Sequence, residues 1–361
     1  MKDQHILSLF LVLLDFAYSL SHFAYYRNHR MMEIETSTFL STTAAISEDE
    51  RYMIPPIIKI LHSGTHHLVV DKPPSVICHH SGYSGFRSRR KDKKDMIPEI
   101  PMLQRVRDTV GRRVNLVHRL DRGTSGALIL TYAESDEEES ISEEQEEDYE
   151  DMDDTSIKQK QRGPTNSFIH ALASVEAQKT YVAIVRGEGI RHGEDFKTMG
   201  WFNVSRPIRD AKGVLKDATT MFRFVAGQGQ DDEKDFPIDP NDTNHTVSCR
   251  PRLSIVLARP VQGRWHQIRR HLNGLSHPII GDSSHGQSRL NREWRDKRGL
   301  SNERTLLHLA RIQLPSVDPY SITGLDVSCP LAQDMVELLK QYAPEVFDKA
   351  KPILEEEGIV W

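Results

Sequence analysis

The sequence predicts an α+β fold, because many short strand-like segments and a few amphipathic helices share one chain. Runs rich in β-branched and aliphatic residues lie at 66–82, 114–131, 179–188, 201–210, 216–226, 252–261 and 306–315. Apolar residues have helical spacing at 100–110, 166–176, 263–274 and 334–342. With 361 residues, 38% of them apolar, the chain has material for one large domain or two ordinary ones.

Residues 1–50 are predicted to be a leader or a disordered segment. The apolar run at 6–14 is too short to span a bilayer, and the Ser/Thr-rich stretch at 37–47 is typical of transit peptides. Glu33 and Glu35 count against a transit peptide, which is usually poor in acidic residues. A leader for a plastid or mitochondrion is favoured, and the alternative is an unstructured N-terminus in a cytosolic or nuclear protein.

The net charge of the chain conceals a basic body. Residues 134–154 include fourteen Asp or Glu and no Lys or Arg, so taking them away changes the net charge from −5 to +9. A segment this charged and this poor in apolar residues is predicted to be a disordered insertion. The basic remainder fits a polyanionic partner such as RNA, although basic surfaces also occur on proteins that bind no nucleic acid.

The cysteines and histidines predict neither a disulfide framework nor a metal site. Cys78, Cys249 and Cys329 are far apart and form no CxxC pair. The His doublets at 66–67 and 79–80 lack ligand spacing, because adjacent residues of a strand point to opposite faces.

The most informative stretch is 114–131, where two apolar runs flank a short polar segment with glycines at 123 and 126. This pattern predicts a strand, a turn and a second strand, with Asp121 in the turn. A carboxylate held between two packed strands can act as a nucleophile or general base. The alternative, from the turn alone, is that Asp121 bonds nearby backbone N–H groups in an Asx-turn.

The turn contains His118-Arg119-Leu120-Asp121, then two other residues, then Thr124-Ser125-Gly126. This string resembles the signature of the RluA-type pseudouridine synthases. The resemblance implies the catalytic fold of that family, a mixed, mainly antiparallel β-sheet flanked by helices and loops. It places this domain at 57–345, with insertions at 134–165 and 227–247 and with no S4-type RNA-binding module expected before it. It also implies that Asp121 is the catalytic nucleophile.

Two further catalytic residues follow from the resemblance. Tyr181 would stack on the extracted uracil, since an aromatic ring can hold a flipped base; otherwise it would be a core aromatic of a strand. Arg269 would pair with Asp121 and keep it ionised; otherwise it would belong to a solvated helix face. The spacing of Trp265, Ile268 and Leu272 predicts the buried stripe of that helix, opposite Arg269.

RNA is the expected partner, with tRNA preferred and rRNA as the alternative. The segment Gly281–Gly286, with Arg289 and Asn291, resembles the branch of the family that acts on tRNA. Arg119 would fill the space that the extracted base vacates, and the basic loop at 86–95 is expected to contact phosphates. The residues expected to contact RNA are His118, Arg119, Lys72, Arg264, His266 and Arg270.

The reaction implied is isomerisation of uridine to pseudouridine, by a monomer without cofactor, metal or stable membrane association. A serine hydrolase acting through Ser125 would need G-x-S-x-G, and Gly123-Thr-Ser-Gly126 has a different spacing. A catalytically silent RNA-binding protein is a second rival, against which the intact catalytic residues argue. A third is an interaction protein built around the acidic run.

Overall fold

The computed structural model describes residues 58–80, 99–133, 163–229, 251–317 and 324–361. The predicted leader, the acidic run, the basic loop at 86–95 and Cys249 lie outside these residues. Residues Ile57–Trp361 form one compact unit, which continues past the predicted boundary at 345. Within the described residues, no helix is both long enough and apolar enough to cross a membrane.

Ten strands of the described chain form one large sheet, and four short strands form two separate pairs. The strands are β1 (Ile60–Ser63), β2 (His67–Lys72), β3 (Val114–Leu116), β4 (Ser125–Tyr132), β5 (Gln178–Arg186), β6 (Ile190–Arg191), β7 (Glu194–Asp195), β8 (Phe202–Ser205), β9 (Ile208–Arg209), β10 (Leu215–Lys216), β11 (Thr219–Gln228), β12 (Leu253–Pro260), β13 (Leu307–Leu314) and β14 (Leu325–Ser328). The order in the large sheet is β1-β2-β4-β13-β5-β12-β11-β8, with β3 paired to β4 and β14 to β13. Its pairs are antiparallel except for β4 and β13, which run parallel. The predicted mixed, mainly antiparallel sheet is confirmed.

The helices are α1 (Met102–Val110), α2 (Pro164–Ala173), α3 (Gln267–Gly274), α4 (Ser288–Arg298), α5 (Gln333–Tyr342) and α6 (Pro344–Glu356). One hydrophobic cluster contains side chains of α1, α2, β2 and β4. A second contains side chains of the four helices α3, α4, α5 and α6 and of the strands β5, β11 and β12. Helix α6 buries Val346, Phe347 and Leu354, so the fold needs residues beyond 345. Tyr181 contacts both clusters from the central strand β5.

The helix predicted at 263–274 begins later, and its buried face is wider than predicted: it includes Ile268 and Leu272, as expected, but also Arg269. It starts at Gln267, which leaves Trp265 outside the helix with 50% of its surface exposed. Arg269, predicted on the open side, is buried. The prediction was wrong because apolar spacing alone cannot reveal that a buried carboxylate compensates the arginine.

Candidate active site

The Asp121 turn connects β3 to β4 and is closed by backbone hydrogen bonds. Thr124 N donates to Asp121 O at 3.0 Å, and Thr305 N donates to Gly123 O at 3.1 Å. The predicted strand, turn and strand are all present. Since the main-chain oxygen of Asp121 closes the turn, its carboxylate is directed elsewhere, to Arg269.

Two buried cations fix the carbonyl groups that follow Asp121, and we call Lys72 and Arg304 the cation clamp. Lys72 Nζ donates to Arg122 O at 3.3 Å and to Thr124 O at 2.7 Å. Arg304 Nη1 donates to Gly123 O, between them, at 2.9 Å. Both side chains are fully buried, and burial lowers the pKa of Lys72 to about 8. The clamp therefore satisfies three consecutive carbonyls and holds the turn in one conformation.

Arg269 joins Asp121 to a second, deeper carboxylate. Its Nε and Nη2 donate to Asp282 Oδ2 and Oδ1 at 2.8 and 2.7 Å. Its Nη1 donates to Asp121 Oδ2 at 2.7 Å. Asp282 also accepts from the N–H groups of Ser284 and His285, each at 2.9 Å. The bidentate pair with Asp282 thus fixes the guanidinium, which presents its remaining edge to Asp121.

The exposure of these groups divides the site into a support and a reactive end. The side chains of Arg269 and Asp282 are 6% and 1% exposed, whereas that of Asp121 is 35% exposed. Burial alone would lower the pKa of Arg269, but its bonds and charge interactions with Asp282 and Asp121 raise it. Burial alone would raise the pKa of Asp282, but Arg269 and the two N–H donors lower it. Both groups stay charged, and Asp121 is the carboxylate that a ligand can reach.

Asp282 and Arg304 were not among the predicted site residues. Asp282 lies in the segment Gly281–Gly286. In such turns an aspartate carboxylate commonly accepts hydrogen bonds from the backbone N–H groups two and three residues after it. That signal indicates turn chemistry and gives no hint of the arginine. Arg304 is the last residue of an arginine-rich run. The composition of that run gives no indication that the Arg304 side chain is buried.

Tyr181 lies at the level of the Asp121 turn, two strands away. In the sheet register Gly126 pairs with Leu309, and Leu309 pairs with Tyr181. Burial, with a further contribution from the charge of Asp121, raises the pKa of the Tyr181 phenol above its usual value. The phenol therefore keeps its proton, beside a carboxylate that remains partly open.

His266 also contacts this end of the site. Its Nε2 lies 3.6 Å from Asp121 Oδ2, and its Nδ1 lies 3.0 Å from His285 Nε2. Burial lowers the pKa of His266 to about 4, so the imidazole is neutral at neutral pH. His285 was not predicted, and it extends the polar cluster on the side away from Asp121.

Two of the predicted RNA contacts have partners inside the protein, and burial corrects the prediction for one of them, Lys72. Lys72 belongs to the cation clamp and has no exposed surface. His118 Nε2 accepts from Ile129 N at 3.1 Å, and burial lowers the pKa of this imidazole to about 3. Lys72 therefore supports the turn from inside, and the half-buried His118 of the signature string supports strand β4.

The other predicted RNA contacts remain accessible. Arg119 and Arg264 are exposed, and Arg270 is half-buried. Arg119 Nη1 lies 3.3 Å from His79 Nε2, Arg264 Nε donates to Asp217 O at 3.3 Å, and Arg270 Nη1 donates to Arg209 O at 3.0 Å. Each of these contacts involves one nitrogen of the guanidinium concerned.

Neither a serine nucleophile nor a metal centre is formed by the residues the structure describes. Ser125 Oγ lies 3.0 Å from His308 Nδ1, but both side chains are buried in the sheet. No group of three or more metal-ligating side chains occurs in the described ranges. Cys78 and Cys329 are buried free thiols.

The segment that carries the Asp121 turn is similar in sequence to known proteins. The family described as RNA pseudouridylate synthase matches residues 66–136, which include β2, β4 and the Asp121 turn. The chain is 29% identical over 262 residues to tRNA pseudouridine synthase C of Pectobacterium carotovorum subsp. carotovorum, covering 72% of this chain and 55% of that protein. It is 26% identical over 269 residues to the protein of the same name from Vibrio vulnificus, covering 73% of this chain and 87% of that protein. The first match thus spans about half the length of that relative.

Among solved structures, Human RNA Pseudouridylate Synthase Domain Containing 4 is similar with a TM-score of 0.47 and 16% identity, over 79% of this chain and 92% of that one.

Proposed function

We propose that this chain isomerises uridine to pseudouridine in tRNA, with Asp121 as the catalytic carboxylate. Residues 66–136 match the RNA pseudouridylate synthase family, and two relatives, 29% and 26% identical, are named tRNA pseudouridine synthase C. One observation carries the assignment of Asp121. It is a partly exposed carboxylate in an immobilised turn, paired at 2.7 Å with an arginine that a buried aspartate fixes. The carboxylate is therefore oriented and accessible, as a nucleophile or base must be.

The chemistry needs no other reactant. The bond between N1 of uracil and C1′ of ribose breaks, and a bond between C5 and C1′ forms. C5 loses a proton and N1 gains one, so atoms and electrons balance within the nucleotide. The target base must first leave its stack, which costs a few kcal/mol.

Each side chain of the site has a part in this sequence. Asp121 acts on the nucleotide, and Arg269, which donates to it at 2.7 Å, orients its carboxylate. Tyr181, whose phenol remains protonated, offers a ring face and a hydrogen-bond donor to the extracted uracil. Arg119, exposed beside the turn, fills the space that the base leaves, since a planar guanidinium can stack on bases and bind phosphate.

Two observations support the substrate, one for RNA in general and one for tRNA. The relatives that match most of this chain are named tRNA pseudouridine synthase C, and the chain outside the acidic run carries a net charge of +9. A cationic protein attracts any polyanion, so the charge supports RNA binding and the relatives support the class of RNA.

The substitution Asp121→Asn tests the proposal, because it keeps the size of the side chain and removes the charge. We expect the wild-type protein to form pseudouridine in unmodified tRNA transcripts and the variant to form none, while the variant keeps its RNA affinity. Asp296→Asn, an exposed position on α4, is the matched control and should retain full activity.

Pseudouridine mapping and filter binding give the two readouts. Turnover by Asp121→Asn at the wild-type rate would refute the catalytic assignment. Modification confined to rRNA transcripts, with tRNA untouched, would refute the proposed substrate.

A further inference from the structure

Trp265 is a large aromatic side chain that the fold leaves open beside the site. It lies two residues before the start of α3, and half of its surface is exposed. The core cluster that takes up Ile268 and Leu272 does not include it. Packing of the interior therefore does not explain why an indole stands there.

The indole is held rigidly on one side. Its ring centroid lies 4.1 Å from that of His266, with 25° between the planes. His266 adopts a left-handed backbone conformation with φ of 54°, uncommon outside glycine, and its Nδ1 is 3.0 Å from His285 Nε2. The backbone and the His285 contact fix the imidazole, and the imidazole in turn supports the indole.

The same imidazole connects the indole to the reactive carboxylate. His266 Nε2 is 3.6 Å from Asp121 Oδ2, so a single ring separates Trp265 from the site of chemistry. The guanidinium of Arg270 lies 5.9 Å from the indole centroid, and Arg264 is exposed next to Trp265 in the chain. A rigid aromatic surface with arginines around it thus borders the place where the target uridine must lie.

We propose that Trp265 is a stacking platform for a nucleobase next to the target uridine in the RNA. This inference rests on the proposed function. Extracting the uridine removes a stacking partner from each neighbouring base, and an indole can replace that partner. Arginines beside an aromatic ring match the way proteins hold single-stranded nucleic acid, in which cations follow the backbone and rings stack on bases. Trp265 is then a binding residue that selects RNA with a stackable base beside the uridine.

The substitutions Trp265→Ala and Trp265→Phe test the platform, with Val360→Ala as a control of similar exposure (52%) in the C-terminal segment. The Kd for unmodified tRNA transcripts is measured by filter binding, and kcat and KM are measured for pseudouridine formation. We expect Trp265→Ala to raise Kd and KM about tenfold to a hundredfold, the range for one stacked base. We expect kcat to stay within about threefold, because uniform binding is lost rather than transition-state contacts. Kd and KM of Trp265→Phe should lie between those of the wild type and those of Trp265→Ala. Val360→Ala should have the Kd and KM of the wild type.

A second comparison identifies the stacked base. A synthetic stem-loop with the mapped uridine receives an abasic nucleotide on its 5′ or 3′ side. At the stacked position, the abasic RNA should weaken wild-type binding to the level of Trp265→Ala and weaken that variant no further.

The outcomes separate the two proposals. Trp265→Ala with Kd and KM within twofold of the wild type would overturn the platform while the wild-type activity stands. A change of oligomeric state with unchanged RNA affinity would overturn it in favour of a protein contact. A wild type that forms no pseudouridine, yet loses RNA affinity on Trp265→Ala, would overturn the proposed function and leave the platform supported.

Discussion

Replacing Arg269 by methionine should destabilise the whole fold, because Asp282 would stay buried without its partner. Asp282 Oδ1 would keep the N–H groups of Ser284 and His285, whereas Oδ2 accepts from Arg269 Nε among the described residues and would lose that donor. Removing one partner of a buried ion pair costs about 3–5 kcal/mol. Asp121 is more exposed, so its lost pairing adds little, about 0–1 kcal/mol.

The double variant Arg269→Met/Asp282→Asn provides the control for this prediction. An asparagine at 282 keeps an oxygen for the two N–H groups and carries no charge, so about 2 kcal/mol of the loss should be recovered. Urea denaturation measures the free energy of unfolding of each variant. Turnover should stay at least about a hundredfold below wild type in both variants, since Asp121 has lost the group that orients it.

The pH dependence of the free energy of unfolding can refute this reasoning about the Arg269–Asp282 pair. In the wild type the pKa of Asp282 is lowered, so the pair stabilises the fold above the usual Asp range and this contribution is lost as pH falls through the folded pKa. In Arg269→Met the pKa of Asp282 should instead be raised, so protonation in mild acid relieves the buried charge. The stability gap to the wild type should therefore narrow as pH falls from 7 to 5. A constant gap, or a double variant less stable than the single one, would contradict the reasoning.

Two further predictions concern the sheet. His67 is buried against Phe168, and burial lowers its pKa from 6.5 to about 4. As pH falls from about 6.5 to 4, this histidine takes up a proton in the unfolded chain but not in the folded one, so the free energy of unfolding should decrease. His67→Leu should reduce the acid sensitivity of the unfolding free energy by about 2–3 kcal/mol across that window; identical pH profiles would contradict this. Gly126 has φ of 120°, and an added Cβ would lie 2.3 Å from Leu309 O, so Gly126→Ala should cost at least about 3 kcal/mol in urea unfolding. Gly111→Ala, at φ of 67° in open space, should cost only about 1 kcal/mol, and equal losses would show that contact with Leu309 is irrelevant.

Local pattern was enough to predict the elements that carry the Asp121 turn. Apolar runs and glycine punctuation gave β3, the turn and β4, because those signals depend on neighbours in the chain. The resemblance then nominated Asp121, Arg269 and Tyr181, which the fold brings to one end of the sheet.

The buried charges could not be predicted in the same way. Lysine and arginine are residue types usually found at the surface. Lys72 and Arg304 are buried because carbonyl groups of the Asp121 turn, distant in the chain, accept hydrogen bonds from them. Helix α4 was missed for the same reason: its buried residues include Asn291 and Arg298 besides Trp294, so apolar periodicity does not reveal it.

The cation clamp has a consequence for the synthesis of the protein. Lys72 and Thr124 are 52 residues apart, whereas Arg304 and Gly123 are 181 residues apart. On the ribosome, the Asp121 turn therefore emerges long before the arginine that completes its support. Contacts of such separation form late, because the loop between them must first be closed. The nascent chain should gain the proposed activity only after β13 has joined the sheet, so that this activity would report complete folding.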